Sequence, residues 1–102
     1  MDPKSAQALL DKYPTRSPVI VKSNDHGLSM IRSKYLVPND LKLGEFMAVI
    51  RRYISSLTPQ EALYAFFNNR IYPQNTEIGN IFNIEQRDFY LSMVICKETT
   101  FG

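Results

Sequence analysis

Leu43-Gly44-Glu45-Phe46-Met47-Ala48-Val49-Ile50-Arg51-Arg52-Tyr53-Ile54 is the stretch whose reading decides the fold. Leu43, Phe46, Met47, Ile50 and Ile54 fall at i, i+3, i+4, i+7 and i+11, which lays them along one stripe of an α-helix. The spacing predicts the main core helix, with Arg51 and Arg52 off the apolar stripe. On either side the period changes to two. Upstream, Pro18-Val19-Ile20-Val21 is a β-branched run, Ser23-Asn24-Asp25-His26-Gly27 a turn cluster, and Met30 to Val37 a return strand ended by Pro38, Asn39 and Asp40. Downstream, Phe89, Leu91, Met93 and Ile95 alternate with Tyr90, Ser92, Val94 and Cys96, the pattern of a last strand with one face in the core.

The remaining elements are shorter. Ser5 reads as the cap of a helix over 5–12, with Ala6, Leu9 and Leu10 on its apolar side and Pro14 stopping it. Thr58-Pro59-Gln60-Glu61 spells a capping box with Pro at the first helical position. Leu63 to Phe67 reads as a strand, Asn68-Asn69 as its turn, and Arg70-Ile71 as a brief partner before Pro73. Ile78, Ile81 and Phe82 give a second small helix, and 97–102 has no periodicity and is expected to project as a tail. The order of elements predicts an α+β protein: a mixed sheet crossed by one main helix, the β-grasp plan, with a short N-terminal helix.

Composition sets the outer bounds. The chain has 102 residues, 44% hydrophobic and 22% charged, the profile of one folded domain over 1–102. One cysteine, Cys96, and one histidine, His26, supply neither a disulfide framework nor a four-ligand zinc site, so no metal or other cofactor is expected. Cys96 reads as an inert thiol and His26 as a solvated turn residue. There is no Ser/His/Asp set, phosphate loop or paired carboxylate with a base, so the chain is not expected to be an enzyme. No apolar stretch approaches the roughly 20 residues a bilayer span needs, and Asp2 and the place of Cys96 exclude myristoylation and prenylation. The expectation is a chain that starts out soluble in the cytoplasm. A net charge of +2 does not argue for nucleic acid, but the charge is uneven. Through Arg52 there are nine Lys/Arg against five Asp/Glu, and after it three against five. That gives the N-terminal half either a mildly basic face for acidic peptides or anionic lipid, or an ordinary solvated surface.

Certain pieces of the sequence resemble a known family. These are Lys12-Tyr13-Pro14, Arg16 and Pro18-Val19-Ile20-Val21; Lys34-Tyr35-Leu36-Val37-Pro38 with Asp40-Leu41; Gly44-Glu45-Phe46; Ile50-Arg51-Arg52; Asn68-Asn69; and Phe101-Gly102. In order and spacing, from about Leu9 to Gly102, they resemble the ubiquitin-like autophagy modifiers, the relatives of GABARAP and of microtubule-associated protein light chain 3. The resemblance implies conjugation of the C-terminal glycine, here Gly102 after Phe101, to phosphatidylethanolamine by an activating and then a conjugating enzyme. A delipidating cysteine protease is the implied partner for removal. Glycine suits such chemistry because it has no Cβ to obstruct attack on its carbonyl. The protein would then pass from the cytoplasm to autophagosomal or related organelle membranes.

The resemblance also implies that short aromatic-x-x-aliphatic motifs in cargo receptors add as a strand to the sheet edge. It places an aromatic pocket at Leu9, Pro18, Lys34, Leu36 and Tyr90, and an aliphatic pocket at Tyr35, Val37, Pro38, Leu41, Phe46 and Val49. Arg16, Arg32, Arg51 and Arg52 form the implied charged rim, and Lys34, with Arg16 and Arg32 nearby, would meet acidic residues flanking the motif. Taken singly, Phe46, Val37 and Leu41 read as core, whereas Tyr35 and Lys34 read as recognition surface. The sequence departs from the family pattern in several places. One short helix stands where a pair is usual, Ser5 stands near the usual acidic residue, and Tyr90 replaces a pocket Phe. Tyr53 stands where a third cation is usual, and Ser55 to Thr58 is one residue longer. Two other readings stay open: a modifier joined to a protein lysine in the sister autophagy pathway, and an unconjugated β-grasp binding module. Whether the role is bulk autophagy or organelle maintenance stays open too.

Overall fold

The computed structural model describes residues 1–23, 28, 32–54, 57 and 61–97. Helix α1 (Pro3–Lys12) is followed by strands β1 (Arg16–Ser23) and β2 (Lys34–Pro38), helix α2 (Leu43–Arg51), strand β3 (Leu63–Phe66), helix α3 (Ile78–Glu85) and strand β4 (Leu91–Lys97). The strands form one sheet in the order β2-β1-β4-β3. The central pair β1 and β4 is parallel, while β2 and β3 pair antiparallel on the outside.

Alternation sorts the side chains onto two faces. Val19, Val21, Tyr35, Val37, Ala65, Leu91, Met93 and Ile95 join the α2 stripe of Leu43, Phe46, Met47 and Ile50 in one buried cluster, with Ile78 and Ile81 of α3. The other face carries Pro18, Ile20, Leu36 and Lys34, and α1 packs on it against β1. Because β1 is covered on both sides, Ser17 through Val21 are all buried, and the run reads as continuously apolar after Ser17.

Several local readings are corrected. The first helix begins at Pro3, two residues before Ser5. Asp2 is its cap, since its carboxylate accepts from the Ser5 backbone N–H at 2.8 Å, and Pro3 sits where a missing N–H costs nothing. The core helix ends at Arg51 and not Ile54. The Arg52 and Tyr53 N–H groups bond the carbonyls three residues back, which tightens the last turn while leaving Ile54 buried. Arg70-Ile71 makes no strand, only the bridge between Phe67 and Arg70 that closes the Asn68-Asn69 turn. Phe89 is not on the core face of β4. It sits at φ 70° beside Asp88 at φ 55° in a two-residue turn closed by Arg87 and Tyr90, and it is 40% exposed. Lys97 belongs to β4, paired with Leu63 and bridged to Glu61 at 2.9 Å, so any tail starts after it. The turn residues Asn24 to Gly27 with His26, the first residues of the expected return strand, Ser55, Ser56, the capping box at Thr58, and the terminal Phe101 and Gly102 lie outside the described residues.

Candidate functional site

Strand β2 is an edge of the sheet, and its outward groups follow from its pairing. Val21 N–H bonds Ser33 O and Asn39 N–H bonds Thr15 O, which makes the odd residues of β2 the ones that exchange hydrogen bonds with β1. Lys34 and Leu36 therefore turn both backbone N–H and C=O to the outer edge. Pro38 has no N–H, and its carbonyl accepts from Leu41 N–H at 3.1 Å.

Beside this edge lies a cavity of about 220 Å³ between β2 and α2. All of Tyr35, Val37, Pro38, Leu41, Phe46 and Val49 line it, together with Leu36, Arg32 and Tyr53. Phe46 and Val37 are buried and Leu41 half-buried, so the cavity shares its walls with the core. Tyr35 departs from the surface role read for it. It is 8% exposed, and its ring meets Phe46 and Tyr53 edge to face at centroid distances of 5.3 and 6.0 Å. Its hydroxyl donates to Arg32 O at 3.0 Å, and burial pushes its pKa up, which keeps it a neutral donor.

The other expected set is spread along the opposite face. Pro18 pairs with Leu36, and the β1–β4 register carried one residue back sets Tyr90 level with Pro18, so the three lie abreast across three strands. Lys34 is one row further along beside Ile20, and exposed. Leu9 is half-buried on α1. Tyr90 also lines a separate cavity of about 210 Å³ with Asn68, Glu85, Arg87, Asp88 and Ser92. Of the rim residues, Arg32 stacks over the Tyr35 ring at 5.3 Å and Arg16 reaches Leu36 O at 3.5 Å. Arg51 is half-buried and Arg52 exposed at the far end of α2.

Two features escaped the sequence reading. Tyr53 lines the cavity, and its signal was present: it follows Phe46 and Val49 at i+7 and i+4, on the same side of the helical path. The second is a polar hub at Glu85, 7% exposed, whose Oε2 accepts from the Tyr72 hydroxyl at 2.7 Å and whose Oε1 accepts from Asn68 Nδ2 at 3.3 Å. Asn68 also donates to Glu85 O, and Arg70 Nε stands 3.8 Å from Oε2. The hub ties the Asn68-Asn69 turn to the end of α3 and holds the Glu85 carboxyl below its ordinary pKa, chiefly through Tyr72. Nothing in the spacing of these residues announces it.

A mixed four-stranded sheet crossed by a helix that packs on one face, with a cavity at the β2 edge, defines a ubiquitin-like β-grasp protein. The model of the Atg8 ubiquitin-like autophagy proteins matches residues 3–102, and the chain belongs to that family. It is similar to the crystal structure of Trypanosoma brucei ATG8, with 28% identity and a TM-score of 0.81 over 98% of this chain and 88% of that one.

Proposed function

We propose that this Atg8-family chain is a ubiquitin-like modifier without chemistry of its own, joined through Gly102 to phosphatidylethanolamine and recruiting proteins that carry aromatic-x-x-aliphatic motifs. The observation that carries the docking half is the cavity at the β2 edge, which gathers all six residues expected for the aliphatic side chain. An apolar cavity next to outward backbone groups suits strand addition, because backbone bonds set the register and the cavity selects the side chain. Leu36, Pro18 and Tyr90, level with one another on the other face, would receive the aromatic residue. The activating and conjugating enzymes and the delipidating protease would act at the terminal glycine. Two acyl chains would then hold the protein on an autophagosomal or related membrane far more firmly than one chain could.

The conjugation half is tested by the intact mass of the C-terminal fragment recovered from cell membranes, with and without phospholipase. A phosphatidylethanolamine adduct that phospholipase trims is expected. An isopeptide to lysine would move the protein to the sister pathway, and a free carboxylate throughout would leave only a binding module.

A further inference from the structure

The cavity between β2 and α2 is walled by aromatic rings. Tyr35, Phe46 and Tyr53 all line it, and Tyr35 meets the other two edge to face, with interplanar angles of 83° and 68°. Its volume of about 220 Å³ exceeds the roughly 150 Å³ of an apolar protein cavity that takes up benzene. These walls do not close down on a smaller guest, because Tyr35, Val37 and Phe46 belong to the buried cluster and their places are set by the packing of α2 on the sheet. Tyr53 is the ring outside that cluster, half-buried and packed against it. The tightened turn after α2, closed by Tyr53 N–H on Ile50 O at 2.8 Å, holds it at the cavity.

We propose that this cavity prefers an aromatic side chain to an aliphatic one, and that Tyr53 is the residue that sets the preference. The chain would then dock segments of the form aromatic-x-x-aromatic ahead of aromatic-x-x-aliphatic ones. The inference rests on the strand-addition reading above and narrows the class of partner it admits. Two physical terms carry it. A branched aliphatic side chain is smaller than a phenyl ring and leaves more of a fixed wall without contacts, and each missing contact is attraction forgone. A phenyl ring covers more of that wall and meets the rings already there in the offset or edge-to-face arrangements that aromatic pairs favour. It also loses little freedom on docking, since only two side-chain torsions are fixed. Without the third ring the cavity keeps Tyr35 and Phe46 but loses the one aromatic surface that folding leaves free to vary.

Calorimetric titration of the full chain with two synthetic peptides tests this. Both have the same glutamate flanks, one around Phe-Ser-Ser-Leu and the other around Phe-Ser-Ser-Phe. The second is expected to bind about two- to tenfold tighter. Tyr53→Phe should keep that ratio, and Tyr53→Leu should bring it to about one or below. Because the readout is a ratio on one protein sample, a variant that is merely less stable lowers both affinities and leaves the ratio where it was. A parent that binds the leucine peptide as tightly or more tightly overturns the proposal, and so does a preference for phenylalanine that survives Tyr53→Leu. A second readout locates the ring: in the complex, the second phenylalanine should give nuclear Overhauser contacts to the Val49 methyl groups, which line the cavity. Contacts from that ring to Pro18 and Tyr90 instead would mean that it sits on the other face, and would overturn the assignment. Binding of neither peptide would overturn the strand-addition reading itself, and this inference with it.

Discussion

Gly44 and Gly79 each hold the second position of a helix, α2 and α3, and the same change to alanine is expected to act in opposite directions at the two. Neither has positive φ, so the difference lies in space and not in backbone conformation. A Cβ on Gly79 would stand 2.8 Å from Asn39 Cβ and 3.1 Å from Asn39 O. Asn39 cannot swing aside. Its carbonyl accepts from Gly79 N–H at 2.9 Å, its N–H donates to Thr15 O at 2.9 Å, and its Oδ1 accepts from the Ser17 hydroxyl at 2.5 Å. On Gly44 the nearest atom would be Gln74 Oε1 at 3.2 Å, the tip of an exposed side chain that can turn away. Replacing Gly by Ala in a helix is favourable by about 0.5–1 kcal/mol where there is room. Forcing an extra carbon into a packed site costs about 1–3 kcal/mol. Gly79→Ala should therefore destabilise by about 1–2 kcal/mol, and Gly44→Ala should be neutral or stabilise by up to about 1 kcal/mol. At about 4–8 °C per kcal/mol for a domain of this size, thermal unfolding should show Gly79→Ala melting about 4–15 °C lower and Gly44→Ala unchanged or slightly higher. A Gly79→Ala protein at least as stable as the parent would refute the packing argument, because helix preference alone predicts that outcome.

Val49 is half-buried, lines the cavity and lies outside the buried cluster, so Val49→Glu should move stability by no more than about 1 kcal/mol while weakening an aromatic-x-x-aliphatic peptide at least about tenfold. Titration and melting on the same sample check both halves, and unchanged affinity would sink the cavity's role. Phe46→Ala, by contrast, should cost about 3–5 kcal/mol, visible as an early denaturant midpoint, because Phe46 is only 2% exposed. Glu85 gives a pH signature. Its folded pKa lies below the ordinary value of 4.5, chiefly because the Tyr72 hydroxyl bonds the carboxylate, so its stabilisation is present above about that pH and lost as pH falls through the lower, folded value. Tyr72→Phe removes the main cause, so the gap in denaturant midpoint between parent and variant should narrow from pH 6 toward pH 3, and a gap that stays constant would contradict this.

The elements with strong periods were legible in advance. The Leu43–Ile54 stripe, the β-branched run at Pro18–Val21 and the alternation from Leu91 each state which face is buried, and those three elements make the centre of the fold. The aliphatic lining was legible only because the Lys34–Pro38 segment and Phe46 match a family pattern. Spacing alone would have left Val37 and Phe46 as core residues, which they also are. What escaped was set by single hydrogen bonds. Asp2 outcompetes Ser5 as a cap because its carboxylate reaches the Ser5 N–H, and a two-residue turn pulls Phe89 off the face its alternation assigns. Bonds to carbonyls three residues back, from Arg52, Tyr53 and Ile54, close α2 early without removing Ile54 from the core, so a stripe of apolar residues overstates the helix while giving its packing correctly.

The shared walls of the cavity constrain how selectivity can vary under the docking reading. Tyr35, Val37 and Phe46 are core residues, and changing their volume costs stability before it alters a binding preference. Such walls are fixed by folding, so a docking side chain meets a site that needs little ordering. Freedom to vary is left to the half-buried lining and to the edge: Val49, Leu41, Tyr53 and the two arginines. Tyr53 is the informative position among these. A third cation there would extend the rim, whereas the tyrosine packs edge to face on Tyr35 and closes the cavity with a third ring. The positive charge nearest the cavity is then concentrated on Arg32, the side chain that also covers the Lys34 carbonyl. Restoring the cation with Tyr53→Arg should therefore draw a glutamate-flanked peptide toward the end of α2 and lessen its dependence on Arg32. Affinities of that variant with and without Arg32→Met, against the same peptide, measure the coupling directly. Strictly additive effects of the two changes would show that a cation at position 53 leaves the dependence on Arg32 unchanged, and would refute the argument.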